Sequence, residues 1–178
     1  YGRRVENLNY GTNPCSEIIL RDNQFCNLTE TIIRATDSKA DIKAKVRLAT
    51  ILGTFQASFT NFSFLSDAWR KNTVEEALLG VSMTGIMDNV FMSGRDSREE
   101  LAAFLDECRE YAVEVNAEWA EILGINAAAA ITCVKPSGTV SQLCDTASGI
   151  HARHSAFYVR TVRLDKKGPI YALLKTMN

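Results

Sequence analysis

Ala127-Ala128-Ala129-Ala130-Ile131-Thr132-Cys133-Val134 runs directly into Lys135-Pro136-Ser137-Gly138-Thr139-Val140-Ser141. The first eight residues form an apolar run of strand length without polar alternation, the pattern of a strand covered on both faces, as in parallel sheets. The next seven are small and hydroxyl-rich. Between a strand and a helix start, such a turn offers free backbone N–H groups and hydroxyl donors to an anion, with phosphate the natural ligand. On local grounds alone, Pro-Ser-Gly-Thr also makes an ordinary turn.

Upstream, strand patterns alternate with helical ones. Segments 17–20 and 25–33 read as short strands split by Asp22-Asn23. Ser38 with Asp41 forms a capping box, and Ile42, Val46, Ala49, Phe55, Phe59 and Phe62 recur at near-helical spacing to about residue 62. Thr73-Val74-Glu75-Glu76 reads as a second box opening a short helix, and Gly80-Val81-Ser82-Met83 as a strand ending near Gly85. Ser97-Arg98-Glu99-Glu100 opens the clearest helix, whose apolar stripe carries Cys108 and Trp119 and which stops at Gly124. Strands separated by long helices predict an α/β fold. Cys108 on its stripe and Cys133 in its apolar run read as small core hydrophobes.

Composition narrows the function. A chain of 178 residues with 46% hydrophobic content is one domain in size and can bury a core. A net charge of −1 gives no electrostatic footprint for nucleic acid, and no apolar run reaches the roughly 18 residues of a spanning helix. The five cysteines lack CxxC or His/Cys ligand spacing, so reduced thiols in a cytoplasmic protein are expected rather than structural zinc. His151 and His154 fall in a turn-like segment without a carboxylate or thiol to complete a metal site, and Cys144 reads as packing. Arg153, Arg160, Arg163, Lys166 and Lys167 read as a solvated strand edge before nucleotide or cofactor phosphate. Beginning at Tyr1 in mid-pattern, the chain reads as a piece of a longer protein.

Asn13-Pro14-Cys15-Ser16-Glu17 sets a thiol between an amide and a carboxylate in a proline-stiffened loop, and Phe25-Cys26-Asn27-Leu28 follows with a second thiol. Together with the 135–141 loop, in order and spacing, these segments resemble the catalytic half of the ribonucleotide reductase large chain. The segment Ser148-Gly149-Ile150-His151-Ala152-Arg153-His154-Ser155, leading into 157–163, looks most like the adenosylcobalamin-dependent (class II), monomeric triphosphate reductases.

That resemblance implies part of a ten-stranded α/β barrel with a central finger loop, here 11–17, and a substrate-phosphate loop, 135–141. It implies that Cys15 carries a thiyl radical that abstracts the ribose 3'-hydrogen, that Glu17 is the general base for the 3'-hydroxyl and that Asn13 orients the hydroxyls. Cys26 would be one of two reducing thiols whose partner lies on an earlier family strand; no cysteine precedes Cys15 here, so the chain alone is expected to lack the complete pair. Ser137, Gly138, Thr139 and Val140 would hold the phosphates of a ribonucleoside triphosphate. Adenosylcobalamin is the implied cofactor, with a thioredoxin-type reductant and the N-terminal half of the barrel as partners. The alternatives are the large subunit of a class I diphosphate reductase, which would carry a tyrosine pair not found here, and an inactive nucleotide-binding fragment.

Overall fold

Helix caps set the framework. The structure, a computed structural model, describes Arg4, Glu6 and residues 8–159 and 161–177; Arg160 lies outside them. A short antiparallel hairpin comes first, β1 (Tyr10–Thr12) and β2 (Ile19–Arg21), in register Tyr10 to Arg21 and Thr12 to Ile19. Next, β3 (Asn27–Ile32) leads into α1 (Lys39–Ala57), which begins where Ser38 and Asp41 form a reciprocal capping box. The helix stops at Ala57, so Phe59 and Phe62, expected on it, lie in the following loop. Phe62 instead packs edge-on against Phe25, 5.1 Å between ring centroids.

The helix expected to open at Thr73 ends there. α2 spans Asp67–Glu76 behind the N-cap Ser66 and closes on Ala77 in the left-handed region, at φ 44°. Thr73 cannot serve as a cap because its hydroxyl accepts from Phe25 N at 3.2 Å, while Glu76 is drawn into a buried ion-pair cluster. β4 (Leu79–Thr84) then runs parallel to β3, from Asn27 opposite Leu79 to Ile32 opposite Thr84. A 3-10 turn at Ile86–Asp88 precedes α3 (Arg98–Leu123), which starts where Ser97 Oγ accepts from Glu100 N and ends at Gly124, φ 67°. α4 (Thr139–Leu143) and α5 (Pro169–Thr176) complete the elements. α5 was not apparent from periodicity; Pro169 at its first turn is the signal for it.

Residues 127–134 run along β4 as the alternation of elements implies, but only partly as a strand. Leu79 N donates to Ala130 O, Val81 N to Ile131 O and Cys133 N to Val81 O, giving a single parallel bridge between Val81 and Thr132. Ile131 is buried, whereas Thr132 and Val134 are exposed, so one face of this segment is uncovered among the described residues. It forms the outer edge of the layer β3, β4, 130–133. α1 lies on β3 and β4, α3 packs against α1, and Ile33, Ile42, Val46, Leu79, Phe104 and Cys108 share one core. Gly53 lets α1 approach, since a Cβ there would fall 2.3 Å from Leu79 Cδ2.

Asn116 locks the layers together. Fully buried on α3, it donates to Thr54 Oγ1 of α1 at 2.9 Å and accepts from Ala128 N at 2.7 Å. The fold is mixed α/β, as expected. Its four named strands, among the described residues, form two pairs, so a ten-stranded barrel is not formed by these residues. No described helix is long and apolar enough to cross a membrane. The expected strand edge after residue 150 is not found: no described residue of 151–168 is in a strand, and Arg153 is instead paired with Asp88 at 2.9 Å and Asp145 at 2.8 Å.

Candidate active site

Asn13-Pro14-Cys15-Ser16-Glu17 occupies the tip of the β1–β2 hairpin. Asn13 closes the loop on itself: its N–H donates to Ile18 O at 3.2 Å, its Oδ1 accepts from Ile18 N at 3.1 Å and its carbonyl accepts from Ser16 N at 2.9 Å. Ser16 takes a left-handed backbone, φ 62°, which turns the chain sharply between Cys15 and Glu17. Cys15 is thereby exposed at the apex, while the Glu17 side chain is turned inward and fully buried.

Glu17 meets the second motif. Its Oε1 accepts from Lys135 Nζ at 2.8 Å, and its Oε2 is buried without a hydrogen-bond partner. Burial pushes the Glu17 pKa up, but the Lys135 hydrogen bond, with help from its own backbone N–H, the nearby Asn13 amide and the Lys135 charge, outweighs this and leaves it lowered. Glu17 is therefore an ionised carboxylate with one oxygen engaged and the other buried and unbonded.

Two further thiols surround it. Cys26, half-buried just before β3, has its pKa raised by burial and then by the Glu17 carboxylate. Cys133 is pushed up to about 11 by burial, Glu17 and Cys26. It was expected in the core but is only partly buried, because its segment is the edge of the layer. Both therefore remain protonated thiols near neutral pH. Gly80 lies between the parts: a Cβ there would sit 2.4 Å from Leu28 Cδ2, 3.0 Å from Ile18 Cδ1 and 3.2 Å from Cys133 Sγ. The missing side chain thus lets the hairpin settle onto the sheet.

The 135–141 loop leaves this sheet edge and enters α4. Lys135 N donates to Ser82 Oγ at 2.9 Å. Ser137 is buried, and its hydroxyl accepts from Ser141 N at 3.2 Å, so it braces the loop rather than pointing outward. Gly138, Thr139 and Val140 are exposed, and the N–H groups of Thr139 and Val140, at the start of α4, are among those a helix leaves without an intrahelical partner. Behind the loop, Gly149 at φ 55° packs 3.2 Å from Lys135 O, measured from where a Cβ would stand. Cys144, partly buried, closes α4. His151 and His154 are exposed, and no group of three or more His, Cys, Asp or Glu among the described residues could hold a metal ion.

The sequence motifs marked Asn13, Cys15, Glu17, Cys26 and the 135–141 loop, but not Cys133 or Gly80 beside them, nor the contact Lys135 makes. Lys135 stands at the head of the 135–141 loop in the sequence, but its partner lies 118 residues away.

No family model matches the chain. Curated homologues do, and they are ribonucleotide reductases. Those it matches are adenosylcobalamin-dependent ribonucleoside-triphosphate reductases: that of Lactobacillus gasseri at 27% identity over 93% of this chain, that of Lactobacillus leichmannii at 26% over 93%, and that of Euglena gracilis at 27% over 90%. The chain spans 25% of the first two and 21% of the third, about a quarter of their length. Among solved structures, a B-12 dependent (class II) ribonucleotide reductase superposes on 79% of the chain and 22% of its own length, with a TM-score of 0.62 and 24% identity, which establishes a shared fold.

Proposed function

We propose that this chain is part of the catalytic barrel of an adenosylcobalamin-dependent ribonucleotide reductase, which reduces ribonucleoside triphosphates to 2'-deoxyribonucleotides for DNA synthesis. One observation carries the reading: an exposed Cys15 shares a hairpin tip with a buried, ionised Glu17 that is tied to the head of an anion loop. In this reading the hairpin is the finger of the family barrel. The exposed edge of 130–134 and the apolar cleft of ≈ 500 Å³ beside Cys133, Val134 and Ile150 receive the rest of that barrel.

The chemistry follows from where the groups stand. Cys15, as a thiyl, takes the ribose 3'-hydrogen atom; only a thiol among these side chains has an S–H bond weak enough to be opened and re-formed against a sugar C–H. Glu17, whose Oε2 has no hydrogen-bond partner, would take the 3'-hydroxyl proton once the assembled barrel brings the ribose to this buried carboxylate. Asn13, whose side-chain Oδ1 accepts from Ile18 N, would orient the ribose hydroxyls through its amide N–H groups. The 2'-hydroxyl then leaves as water. Cys26 and a second thiol on a preceding barrel strand supply two electrons and two protons, forming a disulfide that a thioredoxin-type dithiol reduces. Gly138, Thr139 and Val140 hold the phosphates by backbone N–H and hydroxyl groups, over a turn braced by Ser137.

An exposed thiol at the apex of a rigid turn suits a large cofactor, since nothing in the hairpin screens Cys15. Adenosylcobalamin, when bound, supplies the one-electron chemistry that removes the hydrogen atom from a thiol. The test is deoxynucleotide formation by the full-length protein with adenosylcobalamin, a ribonucleoside triphosphate and a dithiol. Cys15→Ser is expected to abolish turnover, and unimpaired turnover in that variant would overturn the reading.

A further inference from the structure

Lys135 Nζ and Glu17 Oε1 lie 2.8 Å apart, and their side chains are 26% and 0% exposed. The proposed anion loop and the hairpin tip, far apart in sequence, meet through this contact. Lys135 is itself held: its N–H is bonded to Ser82 Oγ on β4, and its carbonyl is backed by Gly149. A short, fixed main chain therefore aims the ammonium at a single carboxylate oxygen.

The other groups around Glu17 cannot replace it. From the hairpin come Cys15 and Asn13, from the approach to β3 comes Cys26, and from the sheet edge comes Cys133. These are thiols and an amide, so Lys135 supplies the positive charge at this carboxylate. Without it, a fully buried carboxylate would be driven toward its neutral form, or out of its pocket, by the cost of desolvation.

We infer that Lys135 is a positioning residue for the proposed reaction: it engages Glu17 Oε1, holds the buried carboxylate in place with Oε2 unbonded, and ties that base to the phosphate loop. The inference rests on the reading of Glu17 as the general base. Lys135 need not touch the substrate. Its effect passes through Glu17, and that distinguishes it from an added phosphate ligand.

The test compares Lys135→Met and Lys135→Arg in the full-length enzyme loaded with adenosylcobalamin, measuring kcat, KM for ribonucleoside triphosphate and the pH profile of kcat. Lys135→Met is expected to lower kcat about 10- to 100-fold and to shift the acid limb to higher pH, since the carboxylate loses the partner that keeps it ionised. Lys135→Arg retains the charge and should hold the limb near its original position. In a Glu17→Gln background, Lys135→Met should cost little more, because both changes remove the same function.

A rise in KM with an unchanged limb would mark Lys135 as a phosphate ligand and overturn the inference. Normal kcat in Lys135→Met would overturn it too. Both of those failures leave Cys15→Ser inactive. Failure of the underlying functional reading would instead appear as turnover in Cys15→Ser.

Discussion

Arg4 Nη2 donates to Glu76 Oε2 at 3.0 Å, joining the approach to the hairpin to the last turn of α2. Gln24 Nε2 reaches the same oxygen at 2.7 Å, and Arg21 Nε lies 3.7 Å from the other. The Glu76 side chain is 2% exposed. A carboxylate removed from water this completely is stable only with such partners. The cluster fastens the base of the hairpin, as Lys135 fastens its tip.

Glu76→Ala should therefore destabilise the protein by about 3–5 kcal/mol, the usual effect of stripping a buried ion pair of one member. Two guanidinium groups lose their shared counter-charge. Urea unfolding of the full-length protein with CD detection measures it; a loss below about 1 kcal/mol would contradict the structural role.

Acid should act on the same groups. Burial raises the pKa values of Glu76, Glu17 and Asp88, but their cationic partners more than reverse this, leaving each lowered from ordinary values of 4.5, 4.5 and 3.8. The unfolded chain then binds protons at a higher pH than the folded one. Their contribution to stability is complete above about pH 4.5 and is lost as pH falls through the lowered folded values. Thermal melts between pH 7 and 3 should show a flat upper range and a decline below it, and Glu76→Gln should flatten that decline.

Glu17→Gln should cost about 10²- to 10⁴-fold in kcat, the range expected for a general base, while leaving the fold intact. The amide keeps the shape and can still accept from Lys135. Steady-state deoxynucleotide formation by the full-length enzyme is the measurement, and a loss under about threefold would remove Glu17 from the chemistry.

Gly80→Ala should impair activity more than its one methyl suggests. The new Cβ would meet Leu28, Ile18 and Cys133, and Ile18 is the residue after Glu17. Lifting Ile18 displaces Glu17, the proposed base, from Lys135; a 1 Å misplacement of such a group can cost about 10²-fold. A normal kcat in this variant would show that the hairpin does not rest on Gly80.

Much of this fold is legible locally. Ser38 with Asp41, Ser97 with Glu100 and Gly124 mark helix ends because capping depends on residues three or four apart. Thr73-Val74-Glu75-Glu76 has the same letters but the opposite role, since Phe25, Arg4 and Gln24 claim Thr73 and Glu76 from far away in sequence. The run 127–134 shows that it is a strand of a parallel layer, yet its uncovered face depends on what else packs there. Asn13, Cys15 and Glu17, the proposed reactive groups, form a local motif, whereas the Lys135 contact is purely tertiary. Periodicity cannot register a pairing across 118 positions.

The left-handed turn at Ser16 has a mechanical consequence. A hairpin held by ionic clamps at its root and its tip behaves as a beam propped at two points, with Cys15 on the short overhang beyond the second prop. The sulfur, standing just past the fixed end, has little lever arm through which to wander toward the chain's other thiols.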